Sequence, residues 1–171
     1  MSDPLSIRIR PLTSADESLL WTMVYHAIYL PENAVPLPLE VVHHPKIAKY
    51  VEDWGRTDDV GFVAVDTTVG QPIGAAWARL LKGEEGGYGY VNDETPELTV
   101  ALLPGYRGQG IGSELMIRLL DAARERYPAI SLSVSPENPA LRLYRRLGFE
   151  VVGRSGTSLT MVKRWGERNS G

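Results

Sequence analysis

Apolar and charged positions alternate over residues 7–10 (IRIR), the period of a half-exposed strand. The run SLLWTMVYHAIYL, residues 18–30, has helical spacing instead, and TSADE ahead of it supplies capping residues. Residues 30–45 break the pattern with Pro31, Pro36, Pro38 and Pro45, which predicts a long shaped surface loop rather than a linker. A short helix is expected over 46–54. Residues 60–66 (VGFVAVD) and 72–81 (PIGAAWARLL) read as strands, and the turn-rich TTVGQ between them predicts an antiparallel hairpin. A glycine-rich loop over 82–94 leads to another strand over 97–103.

Beyond the glycines of 105–112, Leu115, Met116, Leu119, Leu120 and Ala123 trace one helix face that Pro128 ends. AISLSV then alternates, with Ile130, Leu132 and Val134 on one side. Asn138 suits an N-cap, Pro139 a first helical position and Gly148 a C-cap. FEVVGR and SLTMVKR close the chain as two strands. The order is strand, two helices, a run of strands, then β-α-β-α-β-β. It predicts an α/β domain with a mixed sheet over residues 5–165 and a frayed polar tail over 166–171.

Composition removes several classes of function. A formal charge of −3 gives no basic footprint for nucleic acid. No apolar run approaches the roughly 20 residues that span a bilayer, and MSDPLSIRIR has no apolar signal core, so no membrane partner is expected. The absence of cysteine excludes disulfides, thiolate metal sites and a cysteine nucleophile, and fits a reducing, cytoplasmic setting. His26 stands alone and His43 and His44 are adjacent, not four apart as a two-histidine zinc helix requires, so no metal is expected.

The stretch YRGQGIG, residues 106–112, follows a strand and opens a helix. Such a turn suits an anion, because the first helical amides lack partners and glycine lets backbone approach closely. A nucleoside-triphosphate loop needs Lys and Ser/Thr after its second glycine, yet Ile111 and Gly112 follow Gly110. A dinucleotide fingerprint fits Gly108 and Gly110 but meets Ser113 at its third glycine, and only about sixty residues follow. The pattern R/Q-x-x-G-x-G/A matches Arg107, Gly110 and Gly112 in full.

On that motif the chain resembles the GNAT superfamily of acyl-CoA-dependent N-acyltransferases. ELTVALLPGYRGQGIGSELM is similar to the family's strand, pyrophosphate loop and helix. SLSVSPENPALRLYRRLGF is similar to its next strand and helix, and IRIRPLTSADE to its first strand and helix. The resemblance implies a single-domain GNAT fold, α/β, with a mixed central sheet flanked by helices and two splayed parallel strands, 97–103 and 130–134, holding acetyl-CoA. It implies a pyrophosphate on the amides of Gly108, Gln109, Gly110, Ile111, Gly112 and Ser113 with Arg107 beside it. It also implies a pantetheine arm along Val100, Ala101 and Leu102, with Asn138 bonded to that arm.

The implied chemistry is direct attack by an amine. Tyr144 matches the family's tyrosine that protonates the leaving thiolate. Glu97 resembles a strand-borne glutamate used as general base, directly or through water; Asp93 and Glu94 are alternatives. Ser133 stands where ribosomal-alanine acetyltransferases carry a glutamate, which argues against N-terminal acetylation. The expected acceptor is a small-molecule or peptide primary amine, drawn in by the first helices, the proline-rich loop and residues 82–93. A non-catalytic acyl-CoA-binding module and a protein lysine or N-terminal acetyltransferase are the alternatives, and a homodimer is compatible with the resemblance.

Overall fold

The computed structural model describes residues 6–31 and 33–165, so Leu5, Glu32 and the expected tail 166–171 lie outside the described residues. Its strands are β1 (Ile7–Pro11), β2 (Val60–Asp66), β3 (Gln71–Arg79), β4 (Glu97–Leu102), β5 (Ala129–Val134), β6 (Glu150–Ser155) and β7 (Ser158–Arg164). They form one mixed sheet in the order β1-β2-β3-β4-β5-β7-β6. The helices are α1 (Glu17–Ala27), α2 (Pro45–Ala48), α3 (Ile111–Arg124) and α4 (Leu141–Arg146). The predicted hairpin of β2 and β3 is antiparallel, and β4 continues it on the far side of β3.

The sheet is packed on both faces. Leu115, Met116, Leu119 and Ala123 of α3 meet Ile73, Ile130 and Met161 on one face. On the other, Leu20, Met23 and Val24 of α1 meet Trp77, Trp54 and Val51. The helix face read from the sequence is thus the buried one, and truncating Leu115 to alanine would cost about 2–5 kcal/mol.

Three element boundaries differ from the pattern for local reasons. The helix expected over 46–54 is only α2, because the carbonyls that would extend it bond to β3 side chains. The Arg79 guanidinium donates to the carbonyls of Lys49 and Glu52, and the Trp77 indole donates to that of Tyr50. Arg79 is itself paired with Asp59 at 2.8 Å, both side chains almost fully buried. α3 stops at Arg124, before Pro128, and Arg126 and Tyr127 then reach back to the carbonyls of Thr57, Asp58 and Asp59. α4 begins at Leu141. Asn138 instead accepts a hydrogen bond from the Ala140 N–H in the turn before it. Gly148, at φ +99°, ends that helix as expected, with Phe149 N–H donating to the Tyr144 carbonyl.

One junction positions the site. β4 and β5 are parallel neighbours but share only the Glu97–Ser131 pair, after which they part. Ser131 N–H donates to the Pro96 carbonyl, and Leu103 N–H donates to the Ile73 carbonyl. Peptide groups alternate in direction along a strand, so Thr99 and Ala101 turn theirs toward β3. The peptide groups of Leu98, Val100 and Leu102 face the gap left by β5.

Candidate active site

The gap between β4 and β5 opens into two cavities that share Val100, Asn138 and Tyr144. One, of about 650 Å³, lies toward the glycine turn and is lined by Leu102, Arg107, Gly108 and Gly112. The other, of about 850 Å³, lies toward Glu97, Tyr50 and Tyr88. The end of α1 and the segment after it roof both, and the Tyr29 hydroxyl donates to the Glu137 carbonyl across the gap at 3.3 Å.

The first cavity has the features of an anion cradle. Gly108 and Gly110 stand at φ +77° and +83°, a region open to glycine at little cost. Gly110 is the N-cap of α3, so the N–H groups of Ile111, Gly112 and Ser113 precede the first intrahelical bond, which Glu114 N–H makes to the Gly110 carbonyl. Ile111 is buried beneath the turn and anchors it. Gln109 donates to the Gly105 carbonyl at 3.4 Å, within the loop itself. Arg107 donates to the His26 carbonyl at 3.4 Å, and its charge, after burial, holds the His26 imidazole below its ordinary pKa. Tyr106, ahead of the turn, donates to the buried Asp66 carboxylate at 2.8 Å and ties the loop to the end of β2. Ala101 lines this cavity, but its peptide groups belong to the β3 ladder.

The second cavity is organised around Glu97. Only 2% of this residue is exposed. Its Oε1 accepts from the Tyr50 hydroxyl at 3.0 Å and the Gly89 N–H at 2.9 Å, and its Oε2 accepts from the Gly87 N–H at 2.7 Å. A carboxylate has about four acceptor positions; three are filled, and the remaining one is on Oε2. Burial pushes the Glu97 carboxyl above the ordinary carboxylate range, while these three hydrogen bonds and nearby Lys49 partly offset that shift. Burial, then the neighbouring Glu97 charge, pushes the Tyr50 phenol well up, so it stays protonated as a donor.

The loop around Glu97 owes its path to glycine and to a chain of bonds. A Cβ at Gly87 would clash with the Tyr50 hydroxyl, so only glycine lets the loop approach so closely. Tyr88 N–H donates to the Tyr50 hydroxyl, and the Ser131 hydroxyl donates to the Gly89 carbonyl. Asp93 accepts from Gly83 N–H and the Tyr90 hydroxyl, on the exposed side of the loop. Neither Asp93 nor Glu94 lines either of these two cavities.

Tyr144 sits at the junction of the two cavities, 7% exposed. Burial raises its phenol to about 12. Its hydroxyl makes no hydrogen bond with described residues, yet no fully buried side-chain polar atom among them lacks a partner. That oxygen therefore opens into the cavity. Ser133 lines the larger cavity from β5. Among the aromatics of this half of the molecule, Trp77 and Trp54 are core, whereas Tyr29 and Tyr88 line the larger cavity. Tyr50, Glu137 and Arg154 also line it and escape a sequence reading.

The arrangement joins a glycine turn with unpartnered helix-start amides, an unpaired strand edge, a buried carboxylate and a protonated phenol. A profile of the acetyltransferase (GNAT) family matches residues 24–149. The chain is 38% identical over 99 residues to a mycothiol acetyltransferase of Thermobifida fusca (strain YX), covering 53% of this chain and 28% of that protein. It therefore spans less than a third of that relative's length. Among solved structures, the PaiA N-acetyltransferase from Thermoplasma acidophilum, in complex with coenzyme A, superposes with a TM-score of 0.65 at 20% identity, over 94% of this chain and 100% of that one. The ribosomal-protein-alanine N-acetyltransferase from Brucella melitensis superposes with a TM-score of 0.65 at 25% identity, over 92% and 99%. The fold is the one these acetyltransferases share.

Proposed function

Because the chain belongs to the acetyltransferase (GNAT) family, we propose that it transfers an acetyl group from acetyl-CoA to a primary amine. The observation that carries this reading is the unpaired edge of β4, running from the glycine turn into the chamber that holds Glu97. A thioester arm laid in the gap would take the place of the missing β5 ladder and bond the peptide groups of Val100 and Leu102. The amides of Ile111, Gly112 and Ser113 would take the pyrophosphate, with Gly108, Gln109 and Gly110 shaping the turn. Arg107 would exchange the His26 carbonyl for a phosphate oxygen, a charge-assisted bond in place of a long neutral-acceptor one.

The chemistry divides between the two ends of the gap. The acceptor must present a neutral amine, although a lysine-like amine has a pKa of about 10.4. Glu97 takes the proton through its open Oε2 position, most simply by a bridging water, and its raised pKa makes it a better base near neutral pH. The amine nitrogen bonds to the thioester carbonyl carbon, and the Val100 or Leu102 N–H steadies the oxygen as charge collects there. The carbon–sulfur bond then breaks. Tyr144, still protonated with a pKa of about 12, gives its proton to the departing sulfur. Asn138, whose carbonyl oxygen is already in a turn bond, keeps its amide N–H₂ for the pantetheine arm.

The test is amine-dependent release of free CoA from acetyl-CoA by purified protein, followed with a thiol reagent over a panel of amines. Release that depends on the amine and fails in Tyr144→Phe supports catalysis. Acetyl-CoA binding with no release from any amine would make the chain a binding module.

A further inference from the structure

The chamber beside Glu97 carries one charge that the acetyl transfer does not use. Arg154, near the end of β6, lines it next to the turn into β7. It is the only basic residue on that lining among the described residues. Arg79 and Arg107 are engaged with Asp59 and the His26 carbonyl, whereas Arg154 has no hydrogen bond or ion pair with described residues. The two carboxylates on the same lining do not neutralise it. Glu97 is taken up by Tyr50, Gly87 and Gly89, and Glu137 makes no ion pair with Arg154.

The sheet register gives the separation. Arg154 lies opposite Leu159 of β7, and Leu159 lies opposite Val134 of β5, which borders the gap. The Arg154 Cα is therefore two strand spacings, about 10 Å, from Val134. A molecule reaching from the Glu97 end of the chamber to the guanidinium must bridge several bonds. A planar guanidinium matches one carboxylate with two parallel hydrogen bonds. Glu97 and Glu137 on the same lining disfavour a group of higher negative charge than one carboxylate.

We infer that the acceptor is an amine that also carries a carboxylate, several bonds from the reacting nitrogen, and that Arg154 binds that carboxylate. This rests on the acetyl-transfer reading above. It makes the acceptor an ω-amino acid or short peptide in chemical class.

The experiment compares matched pairs that differ only in the anion: 6-aminohexanoate against hexylamine, and alanylalanine against its C-terminal amide. CoA release is measured for each, and acetyl-CoA binding is titrated calorimetrically in the same preparations. Arg154 is exposed, so the carboxylate member should have a kcat/KM roughly 2- to 5-fold higher in at least one pair, the range of a solvent-exposed ion pair. Arg154→Gln should remove that preference with acetyl-CoA affinity unchanged, and Arg154→Lys should restore part of it. Equal rates within both pairs, a preference for the members without a carboxylate, or acetyl-CoA binding with no turnover of either carboxylate-bearing amine would overturn the inference alone. Failure to bind acetyl-CoA would remove the acetyl-transfer reading beneath it.

Discussion

The two halves of the gap are built differently. Beneath the α1 roof that both halves share, the half toward the glycine turn has one wall of nearly continuous chain, β4, the turn and the start of α3, closed by the segment from Asn138 to Tyr144. In the proposed reading its recognition groups are mainly peptide N–H groups, held by helix geometry and by positive φ at Gly108 and Gly110. The half around Glu97 comes from distant segments: the end of α1, Ile47 and Tyr50, Tyr88, the stretch after β5 and the β6–β7 turn. Its recognition groups are side chains, held by tertiary bonds such as those of Trp77 and Arg79 to the segment carrying Tyr50. Backbone recognition suits a constant ligand, and side-chain recognition on separate segments suits a ligand that differs between relatives.

That contrast can be broken at either half, and the largest effect is expected in the turn. Gly110→Asp should abolish measurable acetyl-CoA binding. The added carboxylate would face the proposed phosphate site, and the φ of +83° costs a side chain on the order of 1–2 kcal/mol. A Cβ there meets nothing within 4 Å, so the unliganded fold should survive, as circular dichroism would verify.

Glu97→Gln should lower kcat by about 10³- to 10⁴-fold with acetyl-CoA affinity preserved, near the upper end for a general base because the amine is strongly basic. The remaining activity should move toward higher pH, where free amine is more abundant. A profile that does not move would remove Glu97 from the proton path. Tyr144→Phe should lower kcat by about 10²-fold, the lower end of that range, since a thiolate is a good leaving group.

Tyr50→Phe sharpens the comparison further. It removes a hydrogen bond that favours ionised Glu97, so the carboxyl pKa should rise again. Glu97 is active as base when ionised, so the acidic limb of the pH–rate profile should move to higher pH, and activity below it should fall. The limb should stay in place if Tyr50 merely supports the loop. The smallest effect is expected from Tyr106→Phe, which frees the turn from Asp66. The KM for acetyl-CoA should rise by a few-fold, about the 0.5–1.5 kcal/mol of one hydrogen bond, with kcat unchanged.

The same contrast explains what could be read from the chain. The turn residues Arg107 to Ser113 form a local code, because strand, glycines and helix follow one another. Periodicity gave the face of α3 and the order of the strands for the same reason. Glu97 was visible as a strand-opening acid. Its burial was not, because the residues that bury it, Tyr50 and Gly87, meet it only through tertiary packing. Tyr50 lay in a stretch whose helical pattern is overridden by Trp77 and Arg79. Arg154 had no local sign, since β6 is exposed throughout and reads as an ordinary edge strand.

The most direct test of the central claim is a thermal-shift titration with acetyl-CoA against ATP. At about 100 times its Kd a ligand adds roughly 2.7 kcal/mol, which in a chain of this size should raise Tm by roughly 5–10 °C. The account predicts that rise with acetyl-CoA, little response to ATP, and loss of the rise in Gly110→Asp. No shift at saturating acetyl-CoA, or an equal shift retained in Gly110→Asp, would contradict it.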